Sequence, residues 1–232
     1  MSPDPVALPD AVPTPTFSVV RTADVALKAL LLMMLAITLI SPEWANLEGK
    51  GAEARAVAYP LLAFAIPLIW WNNWRDRAAY PWVPSLLVTV TCFSDVLGNR
   101  LDLYDKIVWF DDWMHFINLA LLAAAVVLLT LHRTTGLALV VERALSFGAT
   151  GAIVWEIGEY FAFLSGSSER AFAYADTLSD LGLGVLGAVV GGVVVHRLWA
   201  AGALQDTAPQ LELDGSGDLL RPVAGPQRTP VR

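Results

Sequence analysis

Six stretches of the chain are apolar almost throughout, and each is close to the length of a helix that crosses a bilayer. A hydrocarbon core about 30 Å thick needs roughly 20 apolar residues in a helix. The pattern therefore predicts an all-α fold, a six-helix transmembrane bundle of a polytopic integral membrane protein. The six predicted spans cover approximately residues 23–40, 54–71, 82–97, 109–131, 144–164 and 178–199.

The two ends of the chain lack this pattern. Residues 1–20 contain five prolines and no lysine or arginine, and residues 201–232 mix glycine, proline, glutamine, aspartate and arginine with little apolar periodicity. Both compositions are typical of disordered tails. The N-terminus lacks the basic start and cleavage site of a signal peptide, so we expect the first apolar segment to remain as a span. The predicted transmembrane domain then covers residues 21–200.

The composition supports a membrane protein and argues against other classes. Apolar residues make up 56% of the chain, charged residues only 16%, and the mean hydropathy is +0.54. Soluble domains average about 25% charged residues. The net charge of −7 argues against a nucleic-acid partner, which would need a basic surface. The single cysteine, Cys92, excludes a disulfide within the chain and a thiolate metal cluster.

The charges outside the spans indicate an orientation. Six spans put both tails on one side of the membrane, and that side has seven lysines and arginines near it against five on the other. The positive-inside rule then favours cytoplasmic tails in a bacterial plasma (inner) membrane. Outside the two tails, the acidic residues divide thirteen to three in favour of the tail-free side, which we call the outer face.

Four of the spans carry polar side chains near the outer face, spaced three or four residues apart. Residues at this spacing share one face of a helix, so each set can point into the bundle. The residues are Asp95 and Asn99 in span three, Asp111, Asp112, His115 and Asn118 in span four, Glu156 and Glu159 in span five, and Asp176 and Asp180 in span six. A charge in hydrocarbon costs at least ~2.5–3.5 kcal/mol, so we expect these groups to share one pocket a little below the outer face.

A histidine among clustered carboxylates suits a divalent metal ion. Hard cations prefer oxygen ligands, and an imidazole adds affinity for zinc and other transition metals. The candidate metal ligands are His115, Asp111, Asp112, Asp176 and Asp180. The candidate catalytic groups are Glu159 and Glu156, which could move a proton, and Glu156 could also be a ligand. The remaining polar residues of the pocket are Asp95, Asn99 and Asn118.

The same pocket is compatible with three classes of function. An enzyme would use the metal or an acid–base pair to hydrolyse a small polar or lipid-linked ligand. An ion- or proton-coupled transporter would use the same acids to bind its ion. A structural or partner-binding subunit would use them only to hold the helices together. The lack of similarity between spans one to three and four to six counts against transport, and the sequence leaves enzymatic activity and oligomeric state open.

Three motifs resemble those of a known family. They are DDWMHF at 111–116, VWEIGEY at 154–160 and ADTLSD at 175–180, the last followed by a glycine-rich span. The set resembles a predicted bacterial inner-membrane protein family typified by YjdF, small polytopic proteins whose function is not known. The last span is also similar to that of VanZ-like membrane proteins. The resemblance implies one site built from three spans, whose residues would be Asp111 or Asp112 with His115, Glu156 with Glu159, and Asp176, Thr177 and Asp180.

Overall fold

The computed structural model describes residues 15–75, 79–162, 164, 173–204, 211–212 and 221–222. This part of the chain is almost entirely helical, which confirms the predicted class. The helices are α1 (Pro15–Ile40), α2 (Ala52–Ala63), α3 (Ala65–Ile69), α4 (Trp82–Arg100), α5 (Leu103–Lys106), α6 (Phe110–Thr130), α7 (Leu137–Ala162) and α8 (Ala173–Ala200). A 3-10 turn at Pro42–Ala45 follows α1, and a π-helical turn at Trp70–Trp74 follows α3. The two-residue strands β1 (Leu211–Glu212) and β2 (Arg221–Pro222) pair antiparallel.

Four of the described helices are long and apolar enough to cross a membrane. They are α1 over Val19–Ile40, α6, α7 and α8. The bent pair formed by Ala52–Ala63 and Ala65–Trp74 would add a fifth span if it crosses as one unit. The third predicted span corresponds to α4, which has 19 residues and does not meet the length and hydropathy limits that those helices meet. Length and composition therefore support four or five of the six predicted spans, and the crossing of the membrane by α4 stays a prediction.

The predicted tails lie largely outside the described residues. Helix α1 begins at Pro15, six residues earlier than the predicted transmembrane domain, and residues 1–14 are not described. Helix α8 ends at Ala200, the last residue of that predicted domain. Beyond residue 204 only the two short strands are described. The disorder of both tails therefore stays a prediction.

The break between α2 and α3 has a local cause. Proline has no backbone N–H and its ring clashes with the carbonyl four residues earlier, so a helix bends or ends there. Pro67 would have to donate to the carbonyl of Ala63, which is the last residue of α2. The chain leaves helical geometry at Phe64 and the two helices meet at an angle of 44°.

The two larger apolar cores of the described bundle are joined by the packing of α4 against α6. One core combines Leu31 and Leu35 of α1 with Tyr59 of α2 and Val96 of α4. The other combines residues of α6, α7 and α8, with Val83 of α4 at its edge, and its buried members include Leu128, Val140, Ala188 and Trp199. The second core thus contains the end of α6, the start of α7 and the end of α8, which lie together at what we call the tail end of the bundle. We call the opposite end, where α4 and α7 end and α6 and α8 begin, the site end.

Glycines allow α8 to touch α6 backbone to backbone. A Cβ atom on Gly187 would overlap the carbonyl oxygen of Phe116, and one on Gly191 would overlap the carbonyl oxygen of Ala120. Small residues permit this close approach between helices in lipid. The separation of α6 and α8 is therefore fixed by main-chain contact.

The outward side chains of the long helices are large and apolar. Val154 and Ile157 of α7 are 63% and 52% exposed, and Leu186 and Val194 of α8 are 53% and 49% exposed. Such continuous apolar surface is unusual on a soluble monomer and is expected where lipid is the solvent.

Candidate functional site

His115, in the second turn of α6, lies at the centre of a cluster of carboxylates at the site end. Its Nε2 atom is 3.6 Å from Asp111 Oδ1 and 3.8 Å from Asp180 Oδ1. Its Nδ1 atom is 3.6 Å from Glu156 Oε1. The imidazole is buried, and three helices, α6, α7 and α8, therefore contribute to one group of ionisable side chains.

These distances are longer than hydrogen bonds but match the spacing of atoms that share a metal ion. A nitrogen–oxygen hydrogen bond spans about 2.7–3.2 Å. Two ligands that each lie about 2.1 Å from a tetrahedral zinc ion are about 3.4 Å apart. Two sets of ligand atoms lie within 4.8 Å of one another, Asp111 with His115 and Asp180, and His115 with Glu156 and Glu159.

Two carboxylate oxygens in the cluster lack the partners that burial normally requires. Asp180 Oδ1 and Glu156 Oε1 are buried and have no hydrogen-bond partner among the residues that the structure describes. A buried polar atom left without a hydrogen bond costs about 1–3 kcal/mol, more when it is charged. Carboxylates at this spacing also repel one another unless protons or a cation lie between them. The cluster is therefore suited to hold a positively charged ligand.

Helix periodicity and helix packing explain why these side chains meet. Asp111 and His115 are one turn apart on α6, and Glu156 and Glu159 are one turn apart on α7, so each pair lies on one helix face. On α8, Asp180 precedes Gly184 by one turn, and a Cβ at Gly184 would lie 3.3 Å from Leu119 of α6. The α8 face that carries Asp180 therefore also contacts α6.

Two cavities adjoin the cluster. The smaller, of about 20 Å³, lies against His115 and Asn118 on α6 and Asp95 on α4. A space of roughly 10–15 Å³ is enough for one water molecule, so this cavity can hold a single water. The larger is a cleft of about 610 Å³ at the site end, lined by Lys50, Arg55 and three acids of the cluster, Asp111, Glu156 and Glu159. The residues that line both spaces are Tyr104, Asp111 and Glu159.

Asp95 belongs to a separate, fully bonded network that forms one wall of the smaller cavity. Its carboxylate pairs with Arg55 Nε at 2.9 Å and accepts hydrogen bonds from the hydroxyls of Tyr59 at 2.6 Å and Tyr104 at 2.8 Å. The side chain of Asn99 donates to the Asp95 backbone carbonyl at 3.0 Å. Asp95 therefore connects α4 to α2 and α5, whereas Asn99 bonds within α4 and lines the larger cleft.

The other predicted site residues lie at the edge of the cluster or beyond it. Asp112 accepts a hydrogen bond from Ser179 Oγ at 2.9 Å and belongs to neither set of ligand atoms around His115. Asp176 is exposed and lines the larger cleft. Asn118 lines the smaller cavity and accepts a long hydrogen bond of 3.4 Å from Ser94.

Sequence reasoning missed the residues that complete the Asp95 network. Arg55, Tyr59 and Tyr104 come from α2 and α5, where no acidic pair drew attention to them. A usable signal was available for Arg55 and Tyr59, because a basic residue and a tyrosine one turn apart share a face of the second predicted span.

A second buried polar cluster, near the tail end, was also missed. Lys28 and Asp24 pair at 2.5 Å on α1 and are both buried. Lys28 Nζ also donates to Ser85 Oγ at 2.9 Å and to Thr89 Oγ1 at 2.6 Å on α4. The hydroxyls of Ser85 and Thr89 donate in turn to Asp24. The charge count treats Asp24 and Lys28 as interfacial residues, but their spacing of four within an apolar helix indicates a shared buried face.

The connections at the site end hold exposed ion pairs. Lys50 lies 2.5 Å from Asp105 Oδ2, and Asn46 donates to the same oxygen at 2.7 Å. The hydrogen bond from Lys50, followed by that from Asn46, lowers the pKa of Asp105 below its ordinary value of 3.8. These contacts tie the segment after α1 to the segment between α4 and α6.

Comparison with known proteins places the chain in a family. No curated protein and no solved structure matches it. The family described as "Predicted membrane protein (DUF2238)" matches residues 24–200, a range that includes the whole His115 cluster. The match carries neither the YjdF nor the VanZ designation, so those resemblances stay predictions. With several apolar helices and a match across most of its length, the chain belongs to the DUF2238 family of predicted multi-pass membrane proteins.

Proposed function

We propose that the protein binds a divalent metal ion inside the bundle, with Asp111, His115 and Asp180 as ligands. The observation that carries the proposal is the position of two carboxylate oxygens, 3.6 and 3.8 Å from the same imidazole nitrogen. This spacing is too long for hydrogen bonds and close to that of atoms on a common ion. The buried Asp180 Oδ1 atom lacks a hydrogen-bond partner among the described residues, and the ion would compensate for this by coordination.

Glu156 and Glu159 take different roles in this proposal. A metal-bound histidine usually donates its second ring N–H to a carboxylate, which fixes its tautomer and orientation. Glu156 is the candidate for that role: its Oε1 atom lies 3.6 Å from His115 Nδ1 and would have to move roughly 0.5 Å closer to accept the N–H. Glu159 lines both the water-sized cavity and the larger cleft, so it is the candidate general base and acid.

The arrangement supports hydrolysis of a polar or lipid-linked ester. A divalent ion polarises a bound water and the carbonyl or phosphoryl oxygen of a substrate. Glu159 would accept a proton as the water oxygen bonds to the substrate carbon or phosphorus. The bond to the leaving oxygen would then break, and the proton held by Glu159 would pass to that oxygen. Asp95 and its partners would hold the opposite wall of the cavity in place.

Metal analysis of the purified protein tests the metal proposal. We expect close to one equivalent of zinc, manganese or another divalent ion in the wild type. In Asp180→Asn we expect the affinity for that ion to fall by more than the roughly 10–100-fold that loss of a residue hydrogen-bonded to a ligand costs. Asp112→Asn is the matched control, because Asp112 is an acid of the same region that bonds to Ser179. A wild type that stays metal-free after exposure to each ion, or an Asp180→Asn variant that binds as tightly, would reject the proposal.

We also propose that α4 is a sixth span, which returns both ends of the chain to the cytoplasmic side of the plasma membrane. Its polar side chains Ser85, Thr89 and Asp95 are buried against other helices, which removes the usual obstacle to a polar span. In a Cys92→Ser background, single cysteines at Arg75 and Lys106, which flank α4, should be labelled from opposite sides of the membrane. Labelling of both from one side would reject the six-span topology.

Ion-coupled transport is the second candidate, and one observation favours it. The buried Asp24–Lys28 pair lies toward the tail end, whereas the His115 cluster lies at the site end, so ionisable groups occupy both halves of the bundle. Such intramembrane pairs often mark ion pathways. Proton or metal flux into proteoliposomes that disappears in the double variant Asp24→Asn with Lys28→Met, which removes both charges, would support transport, and metal binding without flux would support the hydrolase.

A further inference from the structure

An apolar groove opens on the membrane-facing side between the site ends of α7 and α8. Its volume is about 380 Å³. Ile157 and Phe161 of α7 and Tyr174 of α8 line it, and they are 52%, 74% and 78% exposed. Its lining is largely hydrocarbon and aromatic, as expected of a surface that contacts lipid chains.

This groove is continuous with the polar cleft of the candidate site. Glu156 and Leu164 line both spaces from one side, and Ala173 and Thr177 line both from α8. One end of the combined space is apolar and faces the membrane. The other end contains Lys50, Arg55 and three acids of the cluster, Asp111, Glu156 and Glu159. A space with one apolar end and one polar end fits an amphiphilic ligand, which has an apolar part and a polar part.

The packing of α7 on α8 explains why the groove lies at this end. Toward the tail end the two helices touch through small residues, since a Cβ on Gly148 would overlap Ala188 and a Cβ on Gly192 would lie 2.7 Å from Ala144. Toward the site end the facing residues are larger, including Tyr160 of α7 and Tyr174 of α8. Larger side chains hold helices further apart, which leaves room between them.

We propose that the site takes a membrane lipid, which enters sideways between α7 and α8 with a hydrocarbon chain in the groove and an oxygen-bearing headgroup in the cleft. This inference rests on the proposed metal site, because the ion would be the main partner of the headgroup oxygens. The lipid's hydrocarbon chain passes from one hydrocarbon environment into another, so the groove supplies a route and contributes little to the binding affinity. Selectivity therefore resides in the headgroup.

Photo-crosslinking from the headgroup tests this route. The full chain is reconstituted in vesicles of phosphatidylethanolamine and phosphatidylglycerol that contain a phosphatidylglycerol with a diazirine in its headgroup. Tyr104 and Glu159 line the cleft inside the bundle and are part-exposed there. We expect crosslinks to Tyr104 and Glu159 in the wild type, mapped by mass spectrometry of peptides.

Blocking variants separate the lipid route from access through water. Ala173→Trp, and Ile157→Trp from the opposite side of the groove, should lower the crosslink yield at least about tenfold, equivalent to 1.4 kcal/mol. Leu186→Trp is the control, because Leu186 lies on the lipid-facing side of α8 away from the groove. A diazirine-bearing glycerophosphate without chains should label the cleft equally in all variants, which shows that the cleft stays open.

Each outcome has a defined meaning. Cleft crosslinks that persist in both groove variants, or that never form in the wild type, would overturn the lipid route. Metal content is measured in the same preparations, so the two proposals fail separately. Crosslinking without bound metal would reject the metal site and keep the route, whereas bound metal without crosslinking would do the reverse.

Discussion

Asp180 of α8 and His115 of α6 face each other across a helix contact, with Asp180 Oδ1 3.8 Å from His115 Nε2. Gly187, two turns after Asp180, meets the backbone of Phe116 directly. Main-chain contact near the pair therefore sets the distance between the two side chains. Flexible side chains alone would not hold a carboxylate and an imidazole at this spacing.

Asp180→Asn should change stability in opposite directions with and without metal. In metal-free protein we expect a melting temperature about 2–4 °C higher, the shift for ~1 kcal/mol in a chain of this size, because a buried carboxylate is neutralised. With metal at about 100 times its Kd, the wild type should gain ~2.7 kcal/mol that the variant lacks. Differential scanning fluorimetry of the wild type and the variant, with and without metal, measures these melting temperatures. A variant less stable than the wild type in both conditions would indicate a purely structural network.

Gly191→Ala should destabilise the bundle. The added methyl would overlap the carbonyl oxygen of Ala120, and overpacking of this kind typically costs about 1–3 kcal/mol. Gly182→Ala is the matched control on the same helix, because a Cβ there meets nothing within 4 Å. That control should be neutral or stabilising by up to ~1 kcal/mol through helix propensity. Equal melting temperatures of the two variants would contradict the backbone contact.

Lys28→Met should be more harmful than the double change Asp24→Asn with Lys28→Met. The single variant leaves a buried carboxylate without its cation, which costs about 3–5 kcal/mol. The double variant removes both charges, so it should recover most of that loss. Lys106→Met is the control, since Lys106 pairs with Asp102 at an exposed position. Additive effects in this cycle, measured as free energies of unfolding, would show that the pair is not coupled.

The sequence was sufficient to predict the helical class and the meeting of five site residues. Pairs spaced three or four apart share a helix face, so Asp111 with His115 and Glu156 with Glu159 could be paired before the fold was known. Asp180 is predicted together with Asp176, one turn apart on the last span, and the structure brings only Asp180 into the ligand sets around His115. Adjacent residues such as Asp111 and Asp112 point about 100° apart on a helix, and periodicity alone does not say which of them faces the histidine.

The Lys50–Asp105 pair should make stability depend on pH on the acid side. The hydrogen bond from Lys50 lowers the pKa of Asp105, so its contribution is present above the unfolded pKa of about 3.9 and is lost as pH falls through the lower folded value. Asp105→Asn should therefore show a smaller fall in melting temperature below about pH 4. Because the pair is exposed, the effect is small. Glu48→Gln, a change at an exposed acid, is the control and should lose as much melting temperature as the wild type. An equal fall in Asp105→Asn and the wild type would contradict the prediction.

The networks around Asp95 and Lys28 were less predictable for a physical reason. Each joins residues far apart in the chain, such as Arg55 of α2 with Asp95 of α4, and partner choice depends on how helices rotate about their axes. A count of charges by side also assigns every residue near a helix end to water. The buried Asp24 shows that this assumption fails within the first turns of a span.

The uneven spacing of the three helices has a mechanical consequence. The proposed ligands Asp111, His115 and Asp180 belong to α6 and α8, which are in backbone contact, whereas both glutamates belong to α7. Helix α7 is anchored to α8 by Gly148 and Ala188, well below the cleft. A tilt of α7 about that anchor would move both glutamates away from the proposed ligands without moving α6 or α8. In the proposed enzyme, a product could then be released while the metal ion stays bound.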